Sequence, residues 1–92
     1  VYSSSKAAIE QLTRVLAGEI GESGVTVNTI GPTPIDTDLI KNVPENKIEE
    51  LKSRQCIKRL GNFEDVKNVV DFFIRPESEF ITGQIIYLGG VF

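Results

Sequence analysis

Along the first turns of the chain, hydrophobic residues recur with the period of a helix. Ala8, Leu12, Val15 and Leu16 form one stripe, widened by Ile9 and Ile20, while Glu10, Gln11 and Arg14 take the other side. This spacing predicts an amphipathic helix from about Ser3 to Ile20, with Gly21 and Gly24 punctuating its exit. The period then changes. Val25-Thr26-Val27-Asn28-Thr29-Ile30 is a β-rich run closed by Gly31-Pro32, hence a predicted strand. Pro32 and Pro34 lie too close together for regular structure, so residues 32–38 read as loop. A weaker helical stretch follows from about Pro44 to Arg54, with Ile48 and Leu51 as its apolar positions. In the next helix Asn62 is the cap, Glu64 and Asp65 suit the first turn, and Val66, Val69, Val70 and Phe73 make a buried stripe. Pro76 ends it. After a turn at Thr82-Gly83, Ile85-Ile86-Tyr87-Leu88 is a continuous apolar strand followed by Gly89-Gly90.

That last run has no polar alternation, which implies burial on both faces, as in a parallel sheet covered by helices. Strand, helix and strand in succession is also the pattern of a right-handed parallel crossover. Two parallel strands do not make a stable sheet alone, and one edge of the 25–30 strand would present unpaired backbone groups. The expected fold is therefore α/β. Residues 1–92 would be the end of one larger doubly wound parallel-sheet domain of Rossmann-like type, without repeats, low-complexity stretches or linkers.

Composition narrows the chemistry. Ten basic and 13 acidic residues leave a net charge of −3, so no general basic footprint for nucleic acid is present. No apolar run is long enough to span a bilayer, and no membrane association is expected. The single cysteine, Cys56, allows neither an intrachain disulfide nor a cysteine-built zinc site, and it reads as a packed or incidental thiol. Histidine is absent, which removes Ser-His, Cys-His and His-ligated metal chemistry from these residues. Tyr, Lys, Ser, Thr and carboxylates remain.

Tyr2 and Lys6 stand four positions apart at the opening of the first helix, so they share one face, one turn apart. A phenol ionises near pH 10 in water, too high for ready proton exchange at neutrality. A neighbouring ammonium favours the phenolate and makes the pair a potential proton donor or acceptor. Ile9 and Thr13 lie on the same face. By itself this spacing is also what a solvated helix turn looks like.

Its order with the other segments adds meaning. Tyr2-Ser3-Ser4-Ser5-Lys6-Ala7-Ala8 at a helix start resembles the catalytic segment of the short-chain dehydrogenase/reductase family. The 25–30 strand with Pro32 and Pro34-Ile35-Asp36-Thr37 is similar to that family's sixth strand and nicotinamide loop. Arg59-Leu60-Gly61 with Glu64-Asp65-Val66 resembles the start of its last long helix. Phe80-Ile81-Thr82-Gly83-Gln84 and Gly89-Gly90 resemble its seventh strand and C-terminal edge. Thr33 stands where the family usually has glycine, and Leu88-Gly89 where an acidic residue commonly precedes the final glycines.

The resemblance implies NAD or NADP as cofactor and a carbonyl or alcohol as substrate, with 3-oxoacyl reductase-like chemistry as the default. Tyr2 would give a proton to the carbonyl oxygen, and Lys6 would lower the tyrosine pKa and bond the nicotinamide ribose. Pro32 would line the nicotinamide face, the Ile35 backbone would hold the carboxamide, and Thr37 would contact carboxamide or pyrophosphate. Residues 38–59 would form a lid with an apolar rim of Leu39, Ile40 and Ile48. The dinucleotide-binding half would lie in a remaining N-terminal part of the same protein, leaving these residues inactive alone. A cytoplasmic homodimer or homotetramer is expected. The alternative is a catalytically silent module that assembles through the first helix and the last strand.

Overall fold

The structure, a computed structural model, describes residues 2–31, 35–36 and 38–90. Helix α1 runs Tyr2–Ile20, strand β1 Thr29–Gly31, helix α2 Glu45–Ser53, helix α3 Phe63–Ile74 and strand β2 Ile85–Tyr87. Short 3-10 turns occupy Gly21–Ser23, Asp38–Asn42 and Pro76–Ser78. The two strands pair in parallel, as the α/β order requires.

Helix limits follow the hydrophobic period, but the first strand is shorter than its sequence predicts. Residues 25–28 carry no strand ladder, and at Val27 and Asn28 side chains share in the pairing. Val27 N–H donates to Thr82 Oγ1 at 3.0 Å, and the Asn28 amide both donates to the Ile81 carbonyl and accepts from Gln84 N–H. Main-chain bonds flank this patch, from Gly83 N–H to the Val27 carbonyl and from Thr29 N–H to the Gln84 carbonyl. Asn28 is therefore a structural residue that bonds neighbouring backbone.

The chain divides into two compact units. The first comprises Val1–Thr29 with Val70–Ile86. Here α1 turns Thr13 and Ala17 inward, at 3% and 7% exposure, and leaves Ile9, Leu12, Val15 and Leu16 exposed. The stripe predicted to face the core thus faces outward, since the neighbours present meet α1 through its Thr13–Ala17 side. A Cβ added to Gly83 would lie 3.4 Å from the Ala17 methyl, so the helix packs directly on that turn. At the far end, the buried Ser78 hydroxyl donates to the Phe72 carbonyl, and the Arg75 guanidinium sits 4.8 Å over the Phe72 ring.

The second unit comprises Ile30–Val69 with Tyr87–Phe92. Val69 is its buried apolar residue; of the predicted α3 stripe, Val66 is half-buried. Val70 and Phe73, which belong to the first unit, are exposed and half-buried. Gln55 is almost fully buried and donates both amide hydrogens, to the Ile57 and Arg59 carbonyls at 3.0 Å each, which ties down the exit of α2. Gly31 is pressed against the Tyr87 ring, where a Cβ would come within 2.0 Å of a ring carbon. Gly89 and Gly90 take positive φ values of 75° and 68° and back onto Gln55 and Cys56, which fits backbone accommodation rather than a phosphate cradle. The Cys56 thiol is exposed.

Candidate active site

Helix α1 begins at Tyr2, so its backbone places Tyr2 and Lys6 one turn apart on one face. Lys6 is half-buried, and the side chain of Tyr2 lies outside the described residues. At 3.6 residues per turn, positions 2, 6, 13 and 17 fall within an arc of about 60°. Thr13 and Ala17 are the buried members of that arc. Thr13 Oγ1 donates to the Ile9 carbonyl at 2.7 Å, which uses its single proton. Its 2.6 Å contact with Thr29 Oγ1 is therefore a bond that Thr29 donates. The sequence put Thr13 on this face without indicating its partner; the helical phase shared with Tyr2 and Lys6 was the available signal.

Of the loop residues, Pro32 and Thr37 lie outside the described residues. Ile35 is half-buried and forms a parallel bridge with Gly61, in which Asp36 N–H donates to the Gly61 carbonyl at 2.8 Å. Peptide groups alternate along extended backbone, so the N–H and C=O of Ile35 face away from Gly61. Ile35 belongs to the second unit and the Tyr2–Lys6 turn to the first.

The bridge to Gly61 is held by the start of α3. Asn62 Oδ1 accepts from Asp65 N–H at 3.0 Å while Asp65 accepts from Asn62 N–H at 2.9 Å, a reciprocal cap. Arg59 grips the same carboxylate with two nitrogens, at 2.7 and 3.0 Å. The Arg59 hydrogen bond, then the Asn62 backbone bond, hold the Asp65 carboxyl down at about 2, and the pair raises the Arg59 guanidinium in turn. Arg59 six residues ahead of a capping aspartate was the sequence signal for this clamp. Among the described residues no group of His, Cys, Asp and Glu is arranged to hold a metal ion.

These features define one segment of a doubly wound α/β domain, with a Tyr-x-x-x-Lys turn opening its first helix. A family model described as enoyl-(acyl carrier protein) reductase matches residues 1–91. The chain is 36% identical, over 97% of its length, to 3-oxoacyl-(acyl-carrier-protein) reductase FabG of Pseudomonas aeruginosa, of which it covers 36%. It is 38% identical, again over 97%, to 7alpha-hydroxysteroid dehydrogenase of Escherichia coli, covering 35% of that protein. The crystal structure of the 3-oxoacyl reductase from Brucella melitensis matches with a TM-score of 0.82 and 32% identity, over 98% of this chain and 34% of that one. The chain belongs to the short-chain dehydrogenase/reductase family. It spans about a third of the length of the curated relatives it matches.

Proposed function

We propose that these residues are the C-terminal part of an NAD- or NADP-dependent oxidoreductase acting on a carbonyl or alcohol, with Tyr2 as its proton donor and acceptor. The observation that carries this reading is the Tyr2–Lys6 turn at the head of α1, on the face that Thr13 and Ala17 bury. A bound reduced nicotinamide would supply hydride to the carbonyl carbon. The chain's own work is to move a proton and to orient. As the oxygen gains charge, the Tyr2 phenol gives it a proton, and the Lys6 ammonium stabilises the phenolate left behind.

The backbone at Ile35 suits an amide-bearing ring. The N–H and C=O of Ile35, turned away from Gly61, form the donor and acceptor that a carboxamide needs. Pro32 would cover the ring face and Thr37 would add a hydroxyl contact. A fixed carboxamide selects which ring face meets the substrate, and hydride transfer needs that orientation. Residues 38–59, which include α2, would cap the substrate with Leu39, Ile40 and Ile48 as an apolar rim. A 3-oxoacyl group is the default substrate, in keeping with the names of the Pseudomonas and Brucella relatives. The protein would work in the cytoplasm as a homodimer or homotetramer; among the described residues no helix is long and apolar enough to cross a membrane.

The test is cofactor binding with and without the rest of the protein. The 92 residues alone should neither bind reduced nicotinamide tightly nor turn over, whereas the complete polypeptide should do both. In that polypeptide Lys6→Ala should weaken cofactor affinity and lower kcat together. Robust turnover by the 92 residues, or an unaffected Lys6→Ala enzyme, would contradict the reading. A second reading, a silent interaction module, is favoured by the exposed Leu12, Val15 and Leu16. It predicts self-association of the 92-residue chain without any cofactor binding in the complete protein.

A further inference from the structure

We infer that the hydroxyl pair Thr13–Thr29 is the positioning device of the Tyr2–Lys6 turn, fixing how far α1 is rotated about its axis against β1. This rests on the proposed function, which makes that turn the proton-transfer site. Ala17 packs on Gly83, which is bonded to the Val27 carbonyl, while Thr13 meets Thr29 two residues further along the strand. Four helix residues advance about 6 Å and two strand residues about 6.6 Å, so α1 runs antiparallel to this strand with matched spacing. From Thr13 the helix continues toward Lys6 and Tyr2 in the direction in which β1 advances. In doubly wound sheets ligands bind beyond that end of the strands.

The rotation of α1 must therefore be held some two turns away from the reacting groups. Apolar contacts do this poorly, because they are not directional. The Ala17 contact is a single methyl against a glycine. The hydroxyl pair is directional, partly buried and short. Thr13 is at once bonded to its own helix through the Ile9 carbonyl and to the strand through Thr29, so the bond transmits strand position to the helix backbone. Both protons are thereby assigned: Thr29 to Thr13, and Thr13 to Ile9. A small rotation at Thr13 swings Lys6 and Tyr2 off line together, and misplacements near 1 Å cost about a hundredfold in rate.

The test uses the complete polypeptide and the carbonyl substrate it reduces, with kcat, cofactor Kd and thermal midpoint read in parallel. Thr13→Val should lower kcat at least about tenfold and weaken cofactor binding in the same sense, because Lys6 moves with Tyr2. Thr13→Ser, which keeps the hydroxyl, should restore the rate. The double variant Thr13→Val with Thr29→Val leaves no orphan hydroxyl, so its thermal midpoint should return close to that of the parent while kcat stays low. Joint recovery of midpoint and kcat in the double variant would overturn the inference, because the pair would then be structural only. So would unchanged kcat in Thr13→Val. Tyr2→Phe separates the two levels. Normal turnover there sinks the proposed function itself, whereas loss there with a normal double variant sinks this inference alone.

Discussion

Helices α1 and α3 are both amphipathic by sequence, yet they are held by different means. The large apolar residues of α1 are exposed, and it is pinned through a threonine, an alanine and one interresidue hydroxyl bond. In α3 the buried Val69 belongs to the predicted stripe, and the first turn is locked by Asn62, Asp65 and Arg59. The difference teaches that a hydrophobic stripe marks which side of a helix wants cover, not which side receives it from the residues at hand. Directional polar contacts then decide how the helix sits.

The largest effect is expected outside both helices, at Gly31→Ala, where a methyl would run into the Tyr87 ring at 2.0 Å. Overpacking against the ring should cost up to about 3 kcal/mol, read by urea unfolding. Next comes Asn62→Ala, which removes the cap of α3 and should cost about 1 kcal/mol in the same measurement. Asp65 adds a pH signature. Its carboxyl is held at about 2 against an ordinary 3.8, so its contribution is whole above the higher value and is lost as pH falls through the lower. The thermal midpoint should therefore fall below pH 4 in the parent and be flatter in Asp65→Asn. The smallest effect belongs to Leu12→Ser on the exposed side of α1: within about 0.5 kcal/mol for the 92-residue chain. A markedly larger loss in the complete protein would show that this stripe is covered there.

The order of elements was legible because period and punctuation are local. Asn62 before Glu64-Asp65, the glycines after Ile20 and Leu88, and Pro76 after α3 each act within a turn or two of the chain. The extent of β1 was not legible. Val25 to Asn28 have strand composition, but at Val27 and Asn28 the Thr82 hydroxyl and the Asn28 amide make bonds in place of the ladder. The outward turn of α1 was hidden for the same reason, since burial depends on what the neighbours present. Within the candidate site, the spacing of Tyr2 and Lys6 could be read directly. The Thr13–Thr29 bond joins residues sixteen apart and exists only once helix meets strand.

In the proposed reaction a phenol at position 2 delivers the proton that accompanies hydride transfer. Its most direct test is single-turnover oxidation of bound reduced nicotinamide by the complete polypeptide carrying Tyr2→Phe. The rate should fall by about a hundredfold or more, with reduced cofactor bound as tightly as in the parent. A rate within about twofold of the parent would contradict it and assign the proton to another group.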